Sequence, residues 1–175
     1  MTKLPLQVCE WSCILAAFMI TSKNEKLFNL SYFICLTLGC VPFITPAVIT
    51  TTGPRFYRYY QFWLEHMLPY FSVFYMMFVH QKRPRLKNIY IPYLFLITLA
   101  VPAIYANTHI EGANFLYLAT GTTGDSIANI MPQNLWLRLF IYLAIISLLF
   151  AIAYSPFFIK DYKARKLSKE STPSE

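Results

Sequence analysis

The chain has 175 residues, 57% of them hydrophobic and 18% aromatic, and only 13% charged. That balance is too apolar for a soluble domain of this size, and the long apolar blocks between short charged ones mark a polytopic membrane protein. The formal charge of +7 does not point to nucleic acid as a partner, because no basic face with interleaved aromatics stands apart from a span.

With about twenty residues as the length that crosses a bilayer, five spans can be drawn. The first, residues 4–21, opens "LPLQVCEWSC" and carries Cys9 and Glu10 near its start. Glu10 interrupts what would be the apolar centre of a signal peptide and "MITSKNEK" is a poor cleavage site, so the block reads as a retained span. Cys9, Ser12, Cys13 and Ala16 share a helical face of small side chains that lets another helix come close. Cys9, Cys13, Cys35 and Cys40 all lie in apolar blocks, without the spacing of a disulfide framework or a zinc site.

The second span, 29–50, ends on "FITPAV" with Thr45. The third, 61–80, reads "QFWLEHMLPYFSVFYMMFVH" and carries Glu65 and His66. The fourth covers 88–106. The stretch that follows, "NTHIEGANFLYLATGTTGDSIANIMPQ", mixes Gly, Asn and Thr with two short apolar pieces. It predicts a loop with a re-entrant or interfacial segment. The fifth span is 134–159, and the basic tail at 160–175 is expected to be disordered. The predicted fold is all-α: a polytopic helical membrane bundle of about five transmembrane helices plus that re-entrant or interfacial segment. Residues 1–159 form a single transmembrane domain in this scheme.

Lysine and arginine set the predicted orientation. Eleven of them fall in the links after spans one and three and in the tail; four, Lys3, Arg55, Arg58 and Arg138, fall on the other side. The positive-inside rule then places the N-terminus outside and the C-terminus in the cytoplasm of a cell membrane. Cys9 and His66 both enter from the outer face, His66 about 7 Å below Gln61 at 1.5 Å per residue. Thr45, Asn107, Asn114 and Tyr117 gather at that end too. Ionisable groups within spans are costly and usually face a cavity or a partner, so a shared outward-facing site is expected.

A cysteine and a histidine at matching depth can form a nucleophile and base, and acyl transfer suits such a pair. A third group normally orients the imidazole. Glu65 is about 100° around the helix from His66, a poor position for that task, so Glu10 or an outer-loop asparagine is expected to do it. Asn107 or Asn114 could instead help bind an oxyanion. Spacing alone more often means a packing residue at Cys9 and an interhelical hydrogen bond at His66. His80 and His109 read as structural or interfacial, and no ligand spacing calls for a metal or other cofactor.

The motifs "LPLQVCE", "NEKLFNLSYFICL", "RYYQFWLEHMLPYF" with "FVHQKRP", "AIYANTHIEGANFLYL" and "YSPF" occur in order from Leu4 to Phe157. Together they resemble the YwaF-type bacterial integral membrane proteins. The eukaryotic relatives of that family look like membrane lipid transacylases that use a cysteine and a histidine. Carried onto this chain, the resemblance implies Cys9 in "LPLQVCE" and His66 in "FWLEH" as the catalytic pair, with membrane lipids as partners. Members usually have transmembrane sequence ahead of the "LPL" motif, so this chain is expected to lack the family's N-terminal spans. Gln7 stands where the family has histidine. The alternative function is a non-enzymatic binding or transport subunit with an outward polar cavity. A scaffold for another membrane protein, or a homo-oligomer, is a third reading.

Overall fold

A helix that is hydrophobic on every side belongs inside a bundle, and the second apolar block is such a helix. The computed structural model describes residues 4–44, 53–119 and 131–170. In it α1 (Val8–Ser22) turns through Lys23, which takes the left-handed conformation (φ 51°), into α2 (Glu25–Thr37). The Asn24 side chain caps α2 by accepting the Lys26 and Leu27 N–H groups. A 3-10 turn at Leu38–Cys40 leads into the short α3 (Val41–Ile44). The chain continues as α4 (Tyr57–Phe78), α5 (Tyr90–His109) and α6 (Leu135–Glu170). Among the described residues there is no strand.

Every residue of α2 from Phe28 to Cys35 is buried, because α1, α4, α5 and α6 all pack around it. Lipid tails are as apolar as leucine, so contact quality must hold such helices together. Here aromatic rings do much of it. Phe33 lies 5.0 Å from Phe150, Tyr93 5.1 Å from Phe150, and Tyr32 5.9 Å from Phe157, linking α2, α5 and α6. The Tyr32 hydroxyl donates to the Ala153 carbonyl at 2.7 Å.

Within the described residues each predicted span is mainly helical, the second broken by the 3-10 turn at Leu38–Cys40, and the five are not equally apolar. Glu25–Ile44, Leu86–His109 and Leu135–Leu167 are long and apolar enough to cross a membrane. Residues 45–50, the end of predicted span two, lie outside the described residues. α1 is a shorter apolar helix of 15 residues. α4 has 22 residues and so reaches about 33 Å, yet its tyrosines, Glu65 and His66 make it too polar to match the other three. α1 and α4 are the two helices with the unusual polar groups, and they pack against each other. Large apolar side chains such as Leu64, Phe71, Leu94, Phe140 and Leu148 are exposed around the bundle, as lipid-facing surfaces require.

The tail differs from expectation. Disorder was expected from Lys160, but α6 runs on to Glu170. Pro156 does not stop it: proline leaves the Ile152 carbonyl without its helical donor, and the Ser155 hydroxyl takes that carbonyl at 2.7 Å. Asp161 is held by Arg83, and Lys, Arg and Ala favour helix in the last turns. The predicted interfacial segment is, within the described residues, a 3-10 turn at Phe115–Tyr117. Its second apolar piece lies in 120–130, outside them.

Candidate functional site

Proline at position 69 has no N–H to give, so the Glu65 carbonyl one turn earlier loses its helical donor. Cys13 of α1 takes it, its Sγ donating to the Glu65 carbonyl at 3.1 Å. The small face of α1 (Ser12 and Ala16 are buried) thus meets α4 at the level of His66. Cys13→Ala is expected to cost about 1 kcal/mol, the worth of a lost hydrogen bond. In a Pro69→Ala background the regained helical bond removes that cost. Thermal unfolding of the two single variants and the double variant checks this.

His66 is oriented by its own helix. Its Nδ1 lies 2.7 Å from the Phe62 carbonyl, and a carbonyl only accepts, so Nδ1 carries the proton and Nε2 holds the free lone pair. The imidazole also rests on the Phe62 ring, centroids 4.3 Å apart. The orienting task expected of Glu10 or an asparagine therefore belongs to the Phe62 backbone.

His66 and Cys9 line one narrow crevice between α1, α2 and α4, with room for about one water molecule. Glu65 and Ser12 line it as well, with Cys35 and Pro69. Its remaining wall is Tyr70, one turn beyond His66, seated on Gly39. A Cβ at Gly39 would stand 3.3 Å from the Tyr70 ring and 3.4 Å from its hydroxyl, so glycine there makes space for the phenol. The Tyr70 hydroxyl is buried and has no hydrogen-bond partner among the described residues. An orphaned buried donor costs stability unless something else uses it. Thiol, imidazole, carboxylate and phenol thus share one small space.

Other candidates have different work. Glu10 is exposed and caps its own helix: its carboxylate accepts the Gln7 N–H at 3.2 Å, while the Gln7 side chain accepts the Glu10 N–H. That reciprocal box satisfies orphan donors at the start of α1. Gln7 also accepts the Leu116 N–H at 3.2 Å. Asn107 clamps the loop backbone, giving a proton to the Phe115 carbonyl at 3.0 Å and accepting the Phe115 N–H at 2.7 Å. Asn114 accepts the Ala119 N–H at 3.2 Å. Tyr117 takes part through its carbonyl, which accepts from the Tyr142 hydroxyl at 3.2 Å. None of Glu10, Asn107, Asn114 and Tyr117 lines the crevice, and Thr45 lies outside the described residues. All four cysteines are free thiols.

Tyr70 is not among the residues expected at the site, although its i+4 relation to His66 puts both on one face of α4. Gly39 carried no local signal. Among known proteins, the model of the TMEM164 family matches residues 1–154. No curated protein and no solved structure matches the chain.

Proposed function

The chain belongs to the TMEM164 family of membrane proteins, and from that premise we propose that it is a membrane lipid acyltransferase working through Cys9 and His66. The observation that carries this reading is the crevice that both residues line, with the imidazole tautomer fixed by the Phe62 carbonyl. The motif resemblance to YwaF-type proteins and their lipid-transacylase relatives supports it. In this reading the N-terminus is outside, the C-terminus is cytoplasmic, and five helices cross the membrane.

The reaction has two halves. Cys9 Sγ attacks an ester carbonyl of a phospholipid as His66 Nε2 takes the thiol proton. The tetrahedral oxyanion collapses, the C–O bond to the glycerol breaks, and the leaving oxygen receives the proton from His66. A lysophospholipid departs and the acyl group remains as a thioester on Cys9. An acceptor hydroxyl then gives its proton to His66 and attacks the thioester, and the released sulfur regains a proton. Space for one water is space for one oxyanion oxygen, and the Tyr70 hydroxyl, without a partner among the described residues, is the donor that lines it. It takes the part expected of Asn107 or Asn114.

Tyr70→Phe keeps the ring on Gly39 and removes only the donor. Acyl transfer is expected to slow by about a hundredfold, the scale of losing one oxyanion donor, with no loss of thermal stability. The function itself is tested by incubating the lipid-reconstituted chain with an alkyne-tagged phospholipid and reading hydroxylamine-sensitive label. Label that needs Cys9 supports the enzyme. Saturable lipid binding without covalent label, unchanged in Cys9→Ala, supports the binding or transport subunit instead.

A further inference from the structure

The link between α4 and α5 borders a groove of about 380 Å³ at the basic end of the bundle. Lys82, Arg83, Arg85 and Lys87 line it, against the two carboxylates Glu25 and Asp161. Both arginines are held. Arg83 donates to Asp161 at 2.8 Å and sits over the Phe157 ring, 5.4 Å from its centre. Arg85 donates to Glu25 at 2.9 Å. Each pair uses one terminal nitrogen, and a guanidinium offers five N–H groups in a planar fork, so donors remain for a second acid. The backbone is anchored too: the buried Asn29 side chain accepts the Arg85 N–H at 2.7 Å, and Pro84 is buried. Neither lysine forms an ion pair among the described residues.

We propose that this groove binds the headgroup of an anionic phospholipid. Its lining carries two more cations than carboxylates, an excess that favours a phosphodiester with no cationic group of its own over a zwitterionic headgroup. Arginines fixed in orientation meet phosphate oxygens through their forks, and the lysines reach in as point charges. Basic pockets between transmembrane helices are suited to such headgroups. The apolar surroundings favour a lipid over a free phosphate. α6, which contributes Tyr154 and Asp161 to the groove, exposes Ile152 and Phe158 on the same stretch of helix, where acyl chains can lie.

Native mass spectrometry of the detergent-purified chain tests this by titration with phosphatidylglycerol, phosphatidylcholine and inorganic phosphate. The groove variant is Lys82→Gln with Lys87→Gln, which leaves both ion pairs intact. The control is Lys163→Gln with Arg165→Gln in the exposed end of α6. Phosphatidylglycerol is expected to bind the native chain at least about tenfold tighter than phosphatidylcholine, to lose about tenfold in the groove variant, and to be unchanged in the control. Equal binding of the two lipids, or an equal loss in the control, overturns the proposal. Displacement of the lipid by inorganic phosphate also overturns it and reassigns the groove to a soluble phosphoryl ligand.

Discussion

Replacing Cys9 with alanine is expected to abolish the acyl adduct, cutting its rate of formation by at least about a thousandfold. The size of the effect follows from chemistry: without the Cys9 thiol the crevice loses the nucleophile that His66 serves. The other nearby thiols do not substitute, since Cys13 donates to the Glu65 carbonyl and Cys35 is fully buried. His66→Ala should cost between about a hundredfold and ten-thousandfold, the range for a general base, while leaving the nucleophile in place. A packing role makes the opposite forecast. A Cys9 that only fills space would shift thermal stability in the alanine variant and leave labelling intact. Initial labelling rates in liposomes, read beside unfolding temperature for each variant, separate the two.

The second large effect concerns stability. Arg138, in the first turn of α6, is fully buried, with 0% of its surface exposed. Its Nε donates to the Pro132 carbonyl at 2.9 Å, and its terminal nitrogens reach the carbonyls of Tyr117, Ala119 and Met131. One planar group thus holds both described ends of the loop that leads into α6. Arg138→Met keeps the stem but strands several carbonyls, and is expected to cost about 3–5 kcal/mol. For a chain of this size that lowers the unfolding temperature by about 10 °C. Arg138→Lys should recover only part of it, because a compact ammonium cannot span the same carbonyls. Arg58→Met, at an exposed arginine bonded to Gln61, should stay within about 0.5 kcal/mol. Equal unfolding temperatures for Arg138→Met and Arg58→Met would mean that the buried guanidinium does not anchor the loop.

The helices were legible in the sequence because apolar blocks of spanning length have few alternatives. The central place of α2 is less so: its buried run is apolar, but only packing reveals that four helices close around it. The site was partly legible. Cys9 and His66 could be drawn to one end of the bundle from charge bias and depth, and Tyr70 was available from its i+4 spacing to His66. Gly39 was not, since its value lies in a ring from another helix. The capping by Glu10 was not legible, because a carboxylate near a helix start can cap or catalyse, and a glutamine N-cap falls outside the usual Ser/Thr signature. The clamp of Asn107 on Phe115 was hidden for a similar reason, as an amide serves backbone or ligand equally well. Arg138 read as a topology charge, and nothing local distinguishes that from a buried anchor. Tail and helix differ by a few weak preferences, which Asp161 and Ser155 tip toward helix through contacts the sequence does not display.

The most direct measurement is the intact mass of the purified chain after incubation with a phospholipid of defined acyl composition, followed by location of the modified peptide. One added acyl group per chain is expected, carried on the peptide that contains Cys9, removed by hydroxylamine and absent from Cys9→Ala. An unmodified mass across neutral and anionic phospholipids, or an acyl group on another residue that persists in Cys9→Ala, would contradict it.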